Sequence, residues 1–264
     1  YRHVPPVTTL ETVLRRDRVV VTAGLVGVAA LGWIYLLYLA RDMSGMGMSA
    51  DMAMPQMQTW GAVDLALLFV MWAVMMVAMM VPSASPLILV VAAANRKRRE
   101  RDDPLVPTGL FFVGYLLAWT AFSGVATVAQ WGLHTTALLS PAMVGTSPVL
   151  GGLLLLAAGV FQFTSLKQVC LTHCRSPLGF VMGHWREGRG GALRMGLEHG
   201  LYCVGCCWIL MALLFVAGVM NLFWVALISL FVLAEKVFPK GELVGRIGGA
   251  ALVVAGVVML TSAV

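Results

Sequence analysis

The sequence predicts an all-α polytopic membrane protein of about seven transmembrane helices, with its N-terminus in the cytoplasm. Three observations predict it. The 264 residues are 60% hydrophobic and 11% charged, outside the usual range of a soluble globular domain. Apolar stretches near twenty residues recur, which is the length that crosses the hydrocarbon core at helical rise. Basic residues gather in alternate connections between those stretches, as the positive-inside rule requires.

The spans are expected at roughly 19–40, 61–81, 108–131, 149–167, 198–217, 220–238 and 245–263. Arg2, Arg15, Arg16 and Arg18 precede the first span. Arg96, Lys97, Arg98, Arg99 and Arg101 lie between the second and third. Lys167, Arg175, Arg186, Arg189 and Arg194 separate the fourth from the fifth, and Lys236, Lys240 and Arg246 the sixth from the seventh. Of the 18 Lys and Arg residues only Arg41 falls on the other side. This placement accounts for the net charge of +6 without nucleic acid as a partner.

The first span is too long for a signal-peptide core and lacks a small-x-small cleavage site, so it reads as a retained anchor. No charged residue occurs from Leu201 to Ala234, a run that would overshoot the bilayer as one helix and is divided at Gly218–Asn221. The organisation that follows is a cytoplasmic segment 1–18 and a single transmembrane domain 19–264. Its Met-rich loop at 41–60 faces the extracytoplasmic side, and its loop at 168–197 faces the cytoplasm. The latter is too short and Gly-rich to bury a core of its own. The expected location is the bacterial cytoplasmic (inner) membrane, with the lipid bilayer as immediate partner.

The outer loop holds Met43, Met46, Met48, Met52, Met54 and Met57 within MSGMGMSADMAMPQM. Thioether sulfur is soft and selects Cu(I). In an oxidising compartment it also escapes the disulfide chemistry that removes thiols. Gly45, Gly47 and Pro55 argue against a helix there. The second span carries a further run, in which Asp64, Met71, Met75 and Met79 share one helical face. A carboxylate in line with stacked methionines suggests a route inward from the Met loop, since intramembrane acids face a bundle interior or cavity. The Met71/Met75/Met79 spacing resembles the MxxxM ring of eukaryotic Ctr-type copper importers. Pro82 and Pro86 should kink or end this helix. His134, near the outer end of the third span, can join an outer site.

All 5 cysteines fall in two clusters: Cys170 and Cys174 in CLTHC, then Cys203, Cys206 and Cys207 in CVGCC. Both are expected at the cytoplasmic side, the second in the opening turns of the fifth span. There His199 shares a face with the sulfurs, and His173 lies three residues from Cys170. Paired Cys clusters with histidines in a reducing compartment read as metal or redox sites. Two or three thiolates satisfy Cu(I), whereas Zn(II) takes four Cys or His ligands, so copper is expected and zinc remains open. Arg175, Lys167 and the start of the fifth span are expected to favour thiolates. Gln162, Thr164, Ser165 and Lys167 line the end of the fourth span. Lys236 is expected to snorkel to the interface. Glu198 points about 100° away from its neighbour His199 and is not a ligand.

The runs MWAVMMVAMMVPSASP (71–86), FQFTSLKQVCLTHCRSP (161–177), HGLYCVGCCWILM (199–211), GVMN (218–221) and AEK (234–236) resemble a bacterial family known as predicted metal-binding integral membrane proteins. The CxxxC and CxxCCW signatures carry the resemblance, which covers about 60–240. It implies a polytopic inner-membrane protein with a metal site at Cys170, Cys174, Cys203, Cys206 and Cys207. The Met43–Met57 loop lies outside it.

Three functions are open on this reading. The first is a Cu(I)-handling membrane protein that captures metal at outer thioethers and passes it to inner thiolates. Without an ATP-binding motif, any transport is facilitated or driven by a partner such as a metallochaperone. The second is a membrane thiol-disulfide oxidoreductase exchanging Cys203/Cys206 with Cys170/Cys174. The third is an accessory subunit delivering copper to a membrane metalloenzyme complex. No nucleophile–base pair points to catalysis.

Overall fold

The computed structural model describes residues 7–50, 60–99, 106–136 and 147–263. Among the described residues there are ten α-helices and no strand. They are α1 (Val7–Ala50), α2 (Ala62–Arg99), α3 (Thr108–Thr135), α4 (Pro148–Phe161), α5 (Ser165–Arg175), α6 (Pro177–His184), α7 (Gly188–Ala212), α8 (Leu214–Ala217), α9 (Leu222–Val237) and α10 (Gly241–Thr261).

Five segments of the described residues are long and apolar enough to cross a membrane: Val19–Arg41, Ala62–Arg96, Thr108–Thr135, Gly188–Ala217 and Gly241–Thr261. The pair α4 and α5, bent by 63° at a short break, makes a sixth if it is one span. Against the seven spans expected from sequence, five or six of the described segments meet this test of length and apolarity. The expected span that does not meet it is α9. Its 16 residues reach about 24 Å at helical rise, short of a hydrocarbon core of about 30 Å.

Long apolar helices mark a membrane protein, and their exposed faces agree. Val19, Val20, Val26, Leu31, Ile34 and Tyr38 of α1 are exposed, as are Leu243, Ile247, Val254 and Val258 of α10. In lipid such faces need no protein cover.

Two expectations about helix ends are corrected. The helix α1 runs through Met43, Gly45, Met46, Gly47 and Met48 to Ala50. An established helix extends without a new nucleus, and each glycine costs only about 1 kcal/mol against Ala. Met52, Met54 and Met57 lie outside the described residues. Likewise α2 does not end at its prolines but continues through Pro82 and Pro86 to Arg99. A proline cannot donate to the carbonyl four residues back, so Pro86 leaves the Pro82 carbonyl without its helical donor. The Ser85 hydroxyl donates to it at 2.8 Å. Nearby carbonyls also gain side-chain donors: Ser83 to Met80 (2.9 Å), Tyr115 to Met80 (3.1 Å) and Ser229 to Met79 (3.2 Å).

Glycines set the two tightest crossings. In α7, a Cβ on Gly196 would strike the Phe111 carbonyl of α3, and one on Gly200 would come 2.6 Å from the Ala118 Cβ. On the other side of the bundle, Gly159 of α4 meets the Gly249 carbonyl of α10. Small residues permit this close backbone approach between helices in lipid.

The α4–α5 break is held by buried polar groups. Thr164 caps α5 by accepting from the Lys167 amide at 3.3 Å, and its hydroxyl donates to the Phe161 carbonyl at 2.7 Å. The Lys167 ammonium donates to Gln162 Oε1 and to both oxygens of Glu235 on α9, at 2.7 and 2.9 Å. Lys167, Glu235 and Gln162 are each 1% exposed. Irregular backbone at membrane depth is tolerated where protein satisfies it, and here the Thr164 hydroxyl and the Gln168 amide, which donates to the Gln162 carbonyl at 3.4 Å, do so beside the buried ion pair. Lys167 is consequently engaged with a carboxylate, and Arg175 with the Phe238 and Pro239 carbonyls (3.0 and 2.7 Å). Neither is left to polarise a thiol, contrary to expectation.

Candidate metal centre

The second cysteine cluster lies deeper than its sequence position suggests. Because α7 begins at Gly188, His199, Cys203, Cys206 and Cys207 occupy the middle of a long helix and not its opening turns. All four are buried. The α3–α7 glycine crossing brings Tyr115 against this face, and α5 packs on it with Cys174 turned inward.

Cys203 is the hub. Its sulfur lies 3.2 Å from the Tyr115 hydroxyl and accepts from the Lys236 ammonium at 2.8 Å. Cys174, buried on α5, neighbours Cys203 and Cys206 of α7. The Cys206 and Cys207 thiols donate to the Cys203 carbonyl at 3.1 and 2.8 Å. Four thiols from two helices thus share one buried volume with one ammonium group. All five cysteines are free of disulfides. Among the described residues, no three His, Cys, Asp or Glu side chains already stand as a metal-binding group. The contacts explain why: two thiols point at a backbone carbonyl and the hub sulfur faces an ammonium, so the sulfurs do not converge on one point.

Cys170 stands apart. Its sulfur would be 3.0 Å from a Cβ on Gly205, so it packs on the flank of α7 beside the hub and not in it. His199 lies one turn before Cys203, its Nδ1 buried without a hydrogen-bond partner and its ring stacked against Tyr115 with centroids 5.7 Å apart. His173 faces the other way. Its Nδ1 bonds the Val169 carbonyl at 2.9 Å, and its ring stacks on Tyr202 at 4.2 Å.

On α2, Met71, Met75 and Met79 are buried, and so are Met76 and Met80. Tyr115 links the backbone of this helix to the thiols, bonding both the Met80 carbonyl and the Cys203 sulfur. Asp64 is separated from the methionine stripe. Exposed at the start of α2, its carboxylate accepts from the Gly61 amide at 2.8 Å, the return half of a capping box. His134 stacks on Trp60 with centroids 4.0 Å apart. For Met43, Met46 and Met48 the structure gives only a helical backbone.

Lys236, Tyr115, Ser83 and His184 escaped sequence reasoning. Lys236 does not snorkel: it is 8% exposed and lies between Cys203 and the Ser83 hydroxyl, the latter at 3.4 Å. The available signal was an ionisable residue ending an apolar helix, which in a membrane is a candidate site group by default.

A family model described as PpoB2, copper chaperone, matches residues 69–259. No curated protein and no solved structure matches the chain.

Proposed function

This chain belongs to the PpoB2 copper-chaperone family, and on that premise we propose that it holds Cu(I) at the thiols of Cys174, Cys203, Cys206 and Cys207 inside the membrane and hands it to a membrane metalloenzyme. The observation that carries the reading is the burial of these four cysteines where α5 packs on α7, with the Cys203 sulfur accepting from the Lys236 ammonium at 2.8 Å. Cu(I) on two thiolates carries one net negative charge, and a buried charge is tolerated when it is paired. Lys236 supplies the opposite charge at the right place. Zn(II) prefers four ligands closing tetrahedrally, and with two thiolates it would leave the ammonium uncompensated. Binding asks for rotation of the Cys206 and Cys207 thiols away from the Cys203 carbonyl.

The Met71, Met75 and Met79 stripe supplies a thioether route toward the hub, and Met43–Met57 supplies an intake segment outside the family match. Ligand strength rises along this path from neutral sulfur to thiolate, so Cu(I) moves inward without a nucleotide. We infer from the basic residues in alternate connections, with α9 counted as a span, that the N-terminus lies in the cytoplasm and the protein in the bacterial inner membrane.

The test is copper content after purification in lipid nanodiscs under reducing conditions. Loss of a group that merely orients a metal ligand typically weakens metal affinity 10–100-fold. Removal of two ligands in Cys203→Ser/Cys206→Ser is expected to weaken Cu(I) binding by at least about 100-fold. Cys170→Ser, beside the hub, is expected to stay within about threefold of the native protein. Unchanged copper in the double variant defeats the reading. Reversible pairing of the same cysteines with an exchanging thiol, at unchanged copper content, would instead identify an oxidoreductase.

A further inference from the structure

A second pair of metal donors lies beside the thiol hub, on its more exposed flank. His173 of α5 and His184 at the end of α6 come together with ring centroids 6.1 Å apart and planes 75° from parallel. Both are half-buried and so reachable from outside the bundle. In sequence they are eleven residues apart, and only the turn between α5 and α6 brings them together.

Each ring has a nitrogen without a protein partner. The Val169 carbonyl can only accept, so His173 Nδ1 carries the proton and Nε2 carries the lone pair. Ligating histidines in metal sites are typically fixed in this way, one ring N–H donating to a backbone carbonyl. His184 Nδ1 is itself buried and has no hydrogen-bond partner. Aromatic faces hold the rings in place: His173 stacks on Tyr202 at 4.2 Å and His184 on Phe180 at 4.7 Å. With nitrogen–metal bonds of about 2 Å, two imidazoles on one ion have centroids roughly 5.5–6.5 Å apart. The observed separation falls in that range.

We propose that His173 and His184 form a two-coordinate Cu(I) exchange site, at which copper is transferred between the thiol hub and a soluble copper donor or acceptor. The proposal rests on the copper-handling reading above. Ligand number selects the ion. Imidazole suits zinc as well as copper, but the absence of a third His, Cys, Asp or Glu from the pair, among the described residues, leaves Zn(II) without its four ligands. The site also continues inward. Phe180, which backs His184, lies edge-on to the buried His199 at 5.2 Å, and His199 is one turn from Cys203. No electron transfer is involved: Cu(I) exchanges one pair of neutral nitrogen donors for sulfur donors.

The experiment uses the full chain in nanodiscs, with all five cysteines changed to Ser to silence the hub, and Cu(I) supplied as its acetonitrile complex. The expected result is a nitrogen contribution of two scatterers to the X-ray absorption spectrum of the bound Cu(I), beside any thioether sulfur from the methionines, and its loss in His173→Gln/His184→Gln. A second measurement needs no variant. In the native chain, Cu(I) added beyond the hub's capacity is expected to slow diethyl pyrocarbonate modification of His173 and His184 by at least fivefold, leaving His134 unaffected. Absence of protection, or protection by Zn(II) and not by Cu(I), overturns the proposal. The two readings fail separately: copper held by the histidines with none at the thiols removes the hub assignment and leaves this site standing. Copper at the thiols with unprotected histidines does the reverse.

Discussion

Lys167→Met is expected to destabilise the protein by about 3–5 kcal/mol, the usual cost of removing one partner from a buried ion pair. The substitution keeps the length and packing of the side chain but leaves the Glu235 carboxylate unpaired at 1% exposure. It also frees Gln162 Oε1 at the α4–α5 break, where Gln162 Nε2 already lacks a partner. For a domain of this size, 1 kcal/mol corresponds to roughly 2–4 °C in Tm, so a fall on the order of 10 °C is expected in mild detergent. Lys167→Met/Glu235→Leu is expected to recover most of that loss, because removing both charges removes the uncompensated one. A single variant that melts with the native protein would show that the pair does not hold the break. The effect extends to copper, since α5 carries Cys174 and its tilt depends on this anchor.

Gly196→Ala is expected to do comparable damage by a different route. In a helix interior, Ala is favoured over Gly by about 1 kcal/mol, so propensity alone predicts stabilisation. The added methyl would, however, meet the Phe111 carbonyl and come within 3.0 Å of the Tyr115 amide nitrogen, both backbone atoms that no rotamer change can move. Overpacking of this kind costs about 1–3 kcal/mol or more. It must push α3 from α7 and draw Tyr115 away from Cys203. Gly190→Ala in the same helix, with nothing within 4 Å of the new Cβ, is the control and should be neutral or stabilising. Thermal melting and Cu(I) affinity measured together would separate the cases. Equal behaviour of the two variants would mean that the crossing tolerates expansion.

Most of the architecture was legible from apolar length, which is what lipid demands of a helix. The all-helical class, the membrane setting and the grouping of Cys174 with the α7 cysteines needed little more than periodicity and spacing. What was not legible has a common cause: hydropathy records avoidance of water and does not distinguish lipid from protein. Thus α9 reads as a span by hydropathy although its 16 residues are shorter than the other candidate spans. Lys236 at its end had two equally satisfactory fates, snorkelling outward or burial against a partner 33 residues away in sequence. The choice depends on tertiary contact alone. The break at Gln162–Thr164 was hidden for the same reason, its polar run fitting the end of a straight helix as well as a bend around Glu235. The place of Asp64 was open to local reasoning, since an acidic residue three positions after a helix start is a capping signal.

The joining of α5 to α9 has a consequence for biosynthesis. Lys167 and Glu235 are 68 residues apart, so a chain emerging from the ribosome completes α5 well before α9 exists. A lysine at the centre of an inserting helix opposes insertion by about 2.5–3.5 kcal/mol, which leaves the α4–α5 segment provisional until its partner is translated. The same helix brings Lys236 to Cys203. Arrival of α9 therefore settles the late segment and completes the charge balance of the thiol hub in one step. A nascent chain has neither, so on the proposed reading Cu(I) binding is expected only once the membrane domain is whole.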